Sequence, residues 1–387
     1  MPATLDPLPL PAGVRSRLVA GVNGLAMHVL EAGHEPPGRP AVLLLHGFPE
    51  LAYSWRHVLP ALAAAGYHAI APDQRGYGRT TGWSADYDGD LRPFALLSLA
   101  RDALALLHAL GRTHVEAVVG HDFGSPVAAW CALTRPDVFR RVVLMSAPFG
   151  GPPALPFATA DAPGAAPAPS PVQRVLDDLA RLPRPRKHYQ WYYSTRAADA
   201  DMRDAPQGLS DFLRAYYHVK SADWAENRPH PLPGWSADAL AQLPTYYVMD
   251  AACTMAETVA PHMPAPAAVA ACTWLGAADL AVYAAEYART GFQGGLQWYR
   301  CGTSGMFNPD MQLYAGAAIT VPALYIAGAC DWGIHQKPGD FEAMQTRACA
   351  RFEGAHLVPG AGHWVQQEQP QAVNALLLAF LARRRAG

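Results

Sequence analysis

The sequence has no apolar run of the roughly 18–20 residues that a membrane helix needs. Its first residues, MPATLDPLPLPAGVRSRL, carry three prolines before residue 11 and lack the basic start and apolar stretch of a secretory signal. Charge is scarce as well. Charged residues make up 16% of the 387 and the formal net charge is −2, which excludes a basic nucleic-acid footprint and an acidic solvating tail. The six cysteines (Cys131, Cys253, Cys272, Cys301, Cys330 and Cys349) are scattered and form no C-x-x-C, so neither a disulfide framework nor a zinc site is implied. There is no G-x-S-x-G, no glycine pattern suited to a nucleotide, and no repeat with a period of roughly 20–50 residues. These absences set the expectation of a soluble cytoplasmic protein with no metal, no cofactor, and no nucleic-acid or membrane partner. They say nothing of oligomeric state.

Apolar residues are plentiful at 51%, enough for a large core. Proline is in excess, and unevenly so: 18 of the 36 prolines fall in residues 148–266. Before that stretch the chain alternates short apolar strands with helices. Arg17–Val22 and Leu25–Glu31 flank Asn23-Gly24, a hairpin turn whose residues tolerate positive φ. Strands are expected at Ala41–Leu45, His68–Ala71, Val115–Val119 and Arg141–Met145, with helices over Trp55–Ala65, over Leu97–Leu110 and from Gly124 to about Thr134. Continuous apolar strands alternating with helices imply a parallel sheet covered on both faces.

The rhythm breaks at Ser146-Ala147-Pro148. Residues 151–171 hold seven prolines and read as a linker, and residues 172–300 show helix-like patterns with no run of buried strands. Positions 186–300 carry 10 of the 16 tyrosines and 5 of the 10 tryptophans. Strands resume at Val321–Ala327 and Arg351–Val358, and the chain ends in a helix over Ala372–Arg384. A sheet that pauses and resumes implies one α/β core (1–150 and 306–387) interrupted by a mainly helical insert (151–305). The insert leaves from the carboxyl end of a strand, the edge where open α/β sheets bind ligands. It is therefore expected to act as a lid.

Gly120-His121-Asp122-Phe123-Gly124 follows a strand and has the spacing of a nucleophile elbow, whose glycines let a strand turn sharply into a helix. The middle residue is Asp, which is ionised at neutral pH and needs no base to attack. Its target must be a saturated carbon bearing a leaving group, and turnover then requires hydrolysis of an alkyl ester on Asp122. A base for that step stands in Gly360-Ala361-Gly362-His363-Trp364, and an orienting acid in Gly328-Ala329-Cys330-Asp331-Trp332. Asp340 competes with Asp331 but lies too far past its strand. The backbone N–H groups of Phe48 and Phe123 are the expected oxyanion donors.

These motifs resemble the epoxide hydrolases of the α/β-hydrolase superfamily. His46-Gly47-Phe48-Pro49 matches the family's H-G-x-P turn, Asp73-Gln74-Arg75-Gly76-Tyr77-Gly78 its D-x-R-G-Y-G loop, and Gly120–Gly124 its G-x-D-x-G elbow. The resemblance implies an α/β-hydrolase fold with an inserted helical cap, an epoxide and water as substrates, and two cap tyrosines that protonate the departing alkoxide. Tyr299, in Gly295-Leu296-Gln297-Trp298-Tyr299-Arg300, is the second of these. Tyr189, in His188-Tyr189-Gln190-Trp191-Tyr192-Tyr193, aligns as the first, with Tyr192 and Tyr193 one helical turn on and still open. Trp191, Tyr192 and Trp298 are candidate substrate-binding neighbours. Residues 199–275 have no clear counterpart in the family.

Plain structural readings compete at several positions. His46 is expected to order its turn, Asp73 and Arg75 to pair on a loop, and His121, His335 and His356 to pack or be solvated. Two other functions compete as well. A haloalkane or haloacetate dehalogenase would use the same nucleophile, but Phe123 stands where such enzymes carry Trp, Phe48 where they carry Asn, and no acid follows the strand before the insert. A non-catalytic ligand-binding member of the fold would need no intact triad.

Overall fold

Apolar segments too short to be helices become the strands of one sheet in the computed structural model, which describes residues 5–35, 37–159 and 172–383. In chain order these are β1 (Val14–Val22), β2 (Leu25–Ala32), β3 (Ala41–Leu45), β4 (His68–Pro72), β5 (Ala117–His121) and β6 (Val142–Met145). Two three-residue strands follow, β7 (Arg186–His188) and β8 (Val248–Asp250), then β9 (Ile319–Gly328) and β10 (Cys349–Val358). The main sheet runs in the order β1-β2-β4-β3-β5-β6-β9-β10. The β1–β2 hairpin and its pairing to β4 are antiparallel, and the other ladders are parallel. Every residue of β3, β4, β5 and β6 is buried, as strands covered by helices on both faces must be. The hairpin turn has Asn23 at φ 49° and Gly24 at φ 83°.

Several boundaries differ from the sequence expectation. The strand expected at Val115–Val119 is β5, two residues later, because parallel pairing to β3 and β6 carries it through Gly120 and His121. Val115 keeps only a bridge to Phe139. The helix expected over Trp55–Ala65 divides into a tight 3₁₀ turn at Ala52–Trp55 and a helix at Leu59–Ala64 with a proline in its first turn. The last helix is Pro370–Ala382, and Arg384 lies outside the described residues. Of the proline-rich segment 151–171, residues 160–171 also lie outside them.

Between β6 and β9 the chain is mainly helical. The helices that matter below are Tyr189–Tyr193, Leu209–Lys220, Ala277–Thr290 and Gln293–Ser304. No run of buried strands was expected here, yet β7 and β8 pair antiparallel, with Arg186 opposite Asp250 and His188 opposite Val248. Three residues are too few to show a period of two.

The insert sits on the core through backbone contacts. Gly294 in the Gln293–Ser304 helix meets Gly76 in the Asp73–Gly78 loop so closely that a Cβ on Gly294 would fall 2.1 Å from the Gly76 carbonyl oxygen. The Trp298 indole N–H donates to the Arg75 carbonyl at 3.0 Å. On the far side, the His363 N–H donates to the Lys220 carbonyl at 2.8 Å and the Trp364 indole to the Tyr217 carbonyl at 2.9 Å. Glu368 accepts from the backbone of Ala222 in the insert and of Gly362 and Trp364 in the core.

Gly294→Ala is expected to lower unfolding free energy in denaturant by about 1–3 kcal/mol, the usual cost of forcing extra volume into a closed contact. Gly302 lies on the same helix with nothing within 4 Å of an added Cβ. Gly302→Ala is expected instead to stabilise by about 0.5–1 kcal/mol through helix propensity.

Candidate active site

Asp122 joins β5 to the Gly124–Thr134 helix at φ 50°, a left-handed conformation that few residues other than glycine adopt. Such strain persists only where the surroundings enforce it. Here they do, because a Cβ on Gly120 would fall 2.0 Å from the Gly124 carbonyl oxygen, and one on Gly124 2.3 Å from that of Leu45. A Cβ on Gly47 would strike the Asp122 side chain itself. The turn thus lifts Asp122 to the carboxyl edge of the sheet with no room for other side chains at its base.

The Asp122 carboxylate is buried. Its Oδ1 accepts from the Phe48 N–H at 2.8 Å. Phe123 is the N-cap of the following helix, so its N–H has no helical partner. Oδ2 lies 3.2 Å from His363 Nε2, which lacks the alignment of a hydrogen bond. Burial alone would raise the carboxyl's pKa. The close approach and charge of His363, with the charges of Lys220 and His121, outweigh burial and hold it well below the usual carboxylate range.

His363 Nδ1 is 3.1 Å from Asp331 Oδ1. Asp331 also accepts from the Gly333 N–H at 2.7 Å, and its pKa is lowered because its bonds and the His363 charge outweigh burial. Burial and the Lys220 charge reduce the basicity of His363, but the two flanking carboxylates raise it more, so the ring is more basic than a free histidine. The structure therefore brings Asp122, Asp331 and His363 together. Asp340, the sequence competitor, lies elsewhere, on the wall of the cavity described below.

Two participants were not anticipated. Ser146, at the end of β6, has φ 67°; its hydroxyl donates to Asp331 Oδ2 and lies 2.8 Å from His363 Nδ1. The sequence marked it only as the place where the strand rhythm stops. His121, read as a packing or solvated residue, is fully buried and bridges Glu50 Oε2 at 2.6 Å and the His363 carbonyl at 2.7 Å. It thereby ties the Glu50 carboxylate to the histidine loop.

A cavity of about 340 Å³ opens above Asp122, with Phe123, Tyr189 and Tyr299 on its wall. The Tyr189 hydroxyl donates to Gln336 Oε1 at 2.9 Å and accepts from the Gln190 amide at 3.2 Å. Tyr299 stands edge-on to Phe48 and Phe123, with its ring centroid 5.9 Å from that of Tyr189. Burial first, and then the Asp122 charge, push both phenols well above their ordinary pKa, so both keep their protons. Tyr192 and Tyr193 do not border the cavity: the first hydrogen-bonds Asp201 and the second Tyr216. Trp191 packs on His188, and Trp298 stands behind Phe123 against Tyr77. Trp191, Tyr192 and Trp298, the candidate substrate neighbours, are thus not among the residues lining this cavity. Leu96, Trp130, Phe149 and Met311 supply the apolar wall instead. Gln190 and Gln336 were missed because single glutamines leave no pattern.

Among the described residues no group of three or more His, Cys, Asp or Glu is arranged to hold a metal ion, and no helix is long and apolar enough to cross a membrane.

Residues 40–169 match the family model for the alpha/beta hydrolase fold. Epoxide hydrolase A of Mycobacterium tuberculosis is 33% identical over 95% of this chain and 98% of its own length. Epoxide hydrolase B of the same organism is 31% identical over 94% and 97%. Among solved structures, an epoxide hydrolase from an endophytic Streptomyces aligns with a TM-score of 0.73, 33% identity and 96% coverage of both chains. Epoxide hydrolase A from Mycobacterium thermoresistibile aligns with a TM-score of 0.71, 32% identity, and 95% and 98% coverage.

Ser146→Ala removes a bond to a charged group, a loss of about 1.5–3 kcal/mol, and is expected to cut kcat at least tenfold while the fold is retained. Stability should also depend on pH through this cluster. Asp331 sits below its free value of about 3.9, so its contribution is present above that pH and lost as pH falls. His363 sits above its free value of about 6.5, so its contribution is present below that pH and lost as pH rises through its folded value. Denaturant unfolding should therefore be hardest near pH 5–6, and Asp331→Asn should flatten both slopes.

Proposed function

The chain belongs to the epoxide hydrolases of the α/β-hydrolase superfamily, and on that premise we propose that it opens epoxides to vicinal diols through a covalent ester on Asp122. Residues 151–305 serve as the cap over that site. The observation that carries this reading is the buried, ionised Asp122 carboxylate facing two protonated tyrosines across one cavity.

Tyr189 and Tyr299 donate to the epoxide oxygen. Asp122 attacks a ring carbon, the carbon–oxygen bond breaks, and a tyrosine proton passes to the alkoxide. Asp122 Oδ1, already held by the Phe48 N–H, becomes the ester carbonyl oxygen. His363, oriented by Asp331 and Ser146, then takes a proton from water as its oxygen attacks the ester carbon. The tetrahedral oxyanion forms against the N–H groups of Phe48 and Phe123. Collapse breaks the ester bond to the alkyl oxygen, which recovers the proton from His363 and leaves as the diol, while the second water proton, left on the Asp122 carboxyl, returns the tyrosinate to phenol. Phe48, Phe123 and Ser146 offer no side-chain N–H to a halide, which supports epoxide over haloalkane as substrate.

A single turnover in heavy-oxygen water should place the label in the enzyme and not in the diol, read by mass spectrometry. Label found first in the diol, or halide release from haloalkanes comparable with diol formation, overturns the proposal. Asp122→Ala should abolish turnover. His363→Gln should accumulate the ester, visible as an added mass on intact protein. Tyr299→Phe should slow ring opening by about 10²-fold or more, the usual contribution of a general acid.

A further inference from the structure

Lys220 ends the Leu209–Lys220 helix of the insert and is 3% exposed. A buried ammonium ordinarily finds a carboxylate. This one forms no ion pair among the described residues. Its Nζ lies 3.4 Å from the Tyr216 hydroxyl and over four rings, those of Tyr247 at 4.9 Å, Tyr216 at 5.2 Å, Trp364 at 5.6 Å and Tyr246 at 5.8 Å. Ring faces attract a cation without cancelling its charge. The cage therefore holds a positive charge, un-neutralised, in the protein interior.

The helix end that carries Lys220 is fixed beside His363, and the cage shares a ring with it. The Lys220 carbonyl accepts the His363 N–H at 2.8 Å. Gly362 packs on the same peptide, where a Cβ would fall 2.5 Å from the Lys220 oxygen. Trp364, one wall of the cage, has its ring centroid 4.6 Å from that of His363. Lys220 is also, after burial, the largest influence lowering the basicity of His363.

His363 faces a change of charge during turnover. In the free enzyme the groups around it are Asp122 from the β5 turn, Asp331 and Ser146 from the strand ends, and His121 with Glu50 behind it. Glu368 grips the peptides on either side, and Lys220 approaches from the insert. Two carboxylates touch the ring at that stage. Esterification removes the charge of Asp122 and leaves Asp331 facing Lys220.

We propose that Lys220 is a positioning residue for the second half of the reaction, holding His363 as neutral imidazole, the form that accepts a proton from water, once Asp122 is an ester. The inference rests on the ester route proposed above. It gives the ring two states in one turnover: paired with Asp122 before attack, and free to act as base after it.

Rapid-quench single turnovers between pH 5 and 9, following ester formation and ester decay separately, test this in the wild type, Lys220→Met and Lys220→Arg. In Lys220→Met the acidic limb of ester decay should move up by about 0.5–1 pH unit, so that decay at pH 6 is roughly threefold to tenfold slower, while ester formation moves less. Lys220→Arg should return the limb to its wild-type position. Lys220→Gln, which keeps a donor for Tyr216 without the charge, should behave as Lys220→Met does and replaces it if that variant does not fold. A purely structural role would slow decay equally at every pH. An unmoved limb in the neutral variants, with ester still formed, overturns the inference alone, as does a shifted limb in Lys220→Arg. No ester at any pH in the wild type overturns the catalytic route and the inference together.

Discussion

Everything at the site depends on a turn with no room in it. Asp122 is held at φ 50° because the backbone of β5, the β3 turn and the following helix meet without side chains between them. Close backbone approach does three things at once. It raises the carboxylate to the sheet edge, brings the Phe48 N–H to one of its oxygens, and leaves the other oxygen beside His363. None of these could be adjusted separately, so the glycines at 47, 120 and 124 set the geometry that the charged residues then use.

Around this turn the interior is organised as an economy of charge. Asp122, Asp331 and Glu50 are buried carboxylates, and each is compensated differently. Glu50 has one His121 ring nitrogen, the Gly47 N–H and the Gln366 amide. Asp331 has a backbone N–H, the Ser146 hydroxyl and one imidazole nitrogen. Asp122, the nucleophile of the proposed route, has the fewest permanent donors. A carboxylate wrapped in hydrogen bonds is a poor nucleophile, so sparse compensation suits its task. The Lys220 ammonium stands apart from all three, in a cage of rings.

The sequence carried much of this and not all of it. Strand, elbow, acid and histidine were legible because each needs a residue type at a fixed place relative to a strand end, and the structure brings Asp122, Asp331 and His363 together as that order implied. Tyr189 could not be told from Tyr192 and Tyr193 by spacing, since all three share a short helix; only the cavity separates them. Ser146, Gln336 and Lys220 were illegible for a different reason. Their roles come from partners 147 to 217 residues away in sequence or from rings gathered from three segments, and no local pattern records such meetings. The β7–β8 pair escaped notice because it is shorter than any period that could reveal it.

The bonds that join the insert to the histidine loop bear on how this architecture can change. His363, Trp364 and Glu368 all reach the insert through its backbone, at Lys220, Tyr217 and Ala222. An insert that swung as a body would break these bonds to the histidine loop. The same linkage couples the insert to the final loop. A cap grafted from a relative would have to bring its own histidine loop, or match three carbonyl and amide positions that its side chains cannot supply.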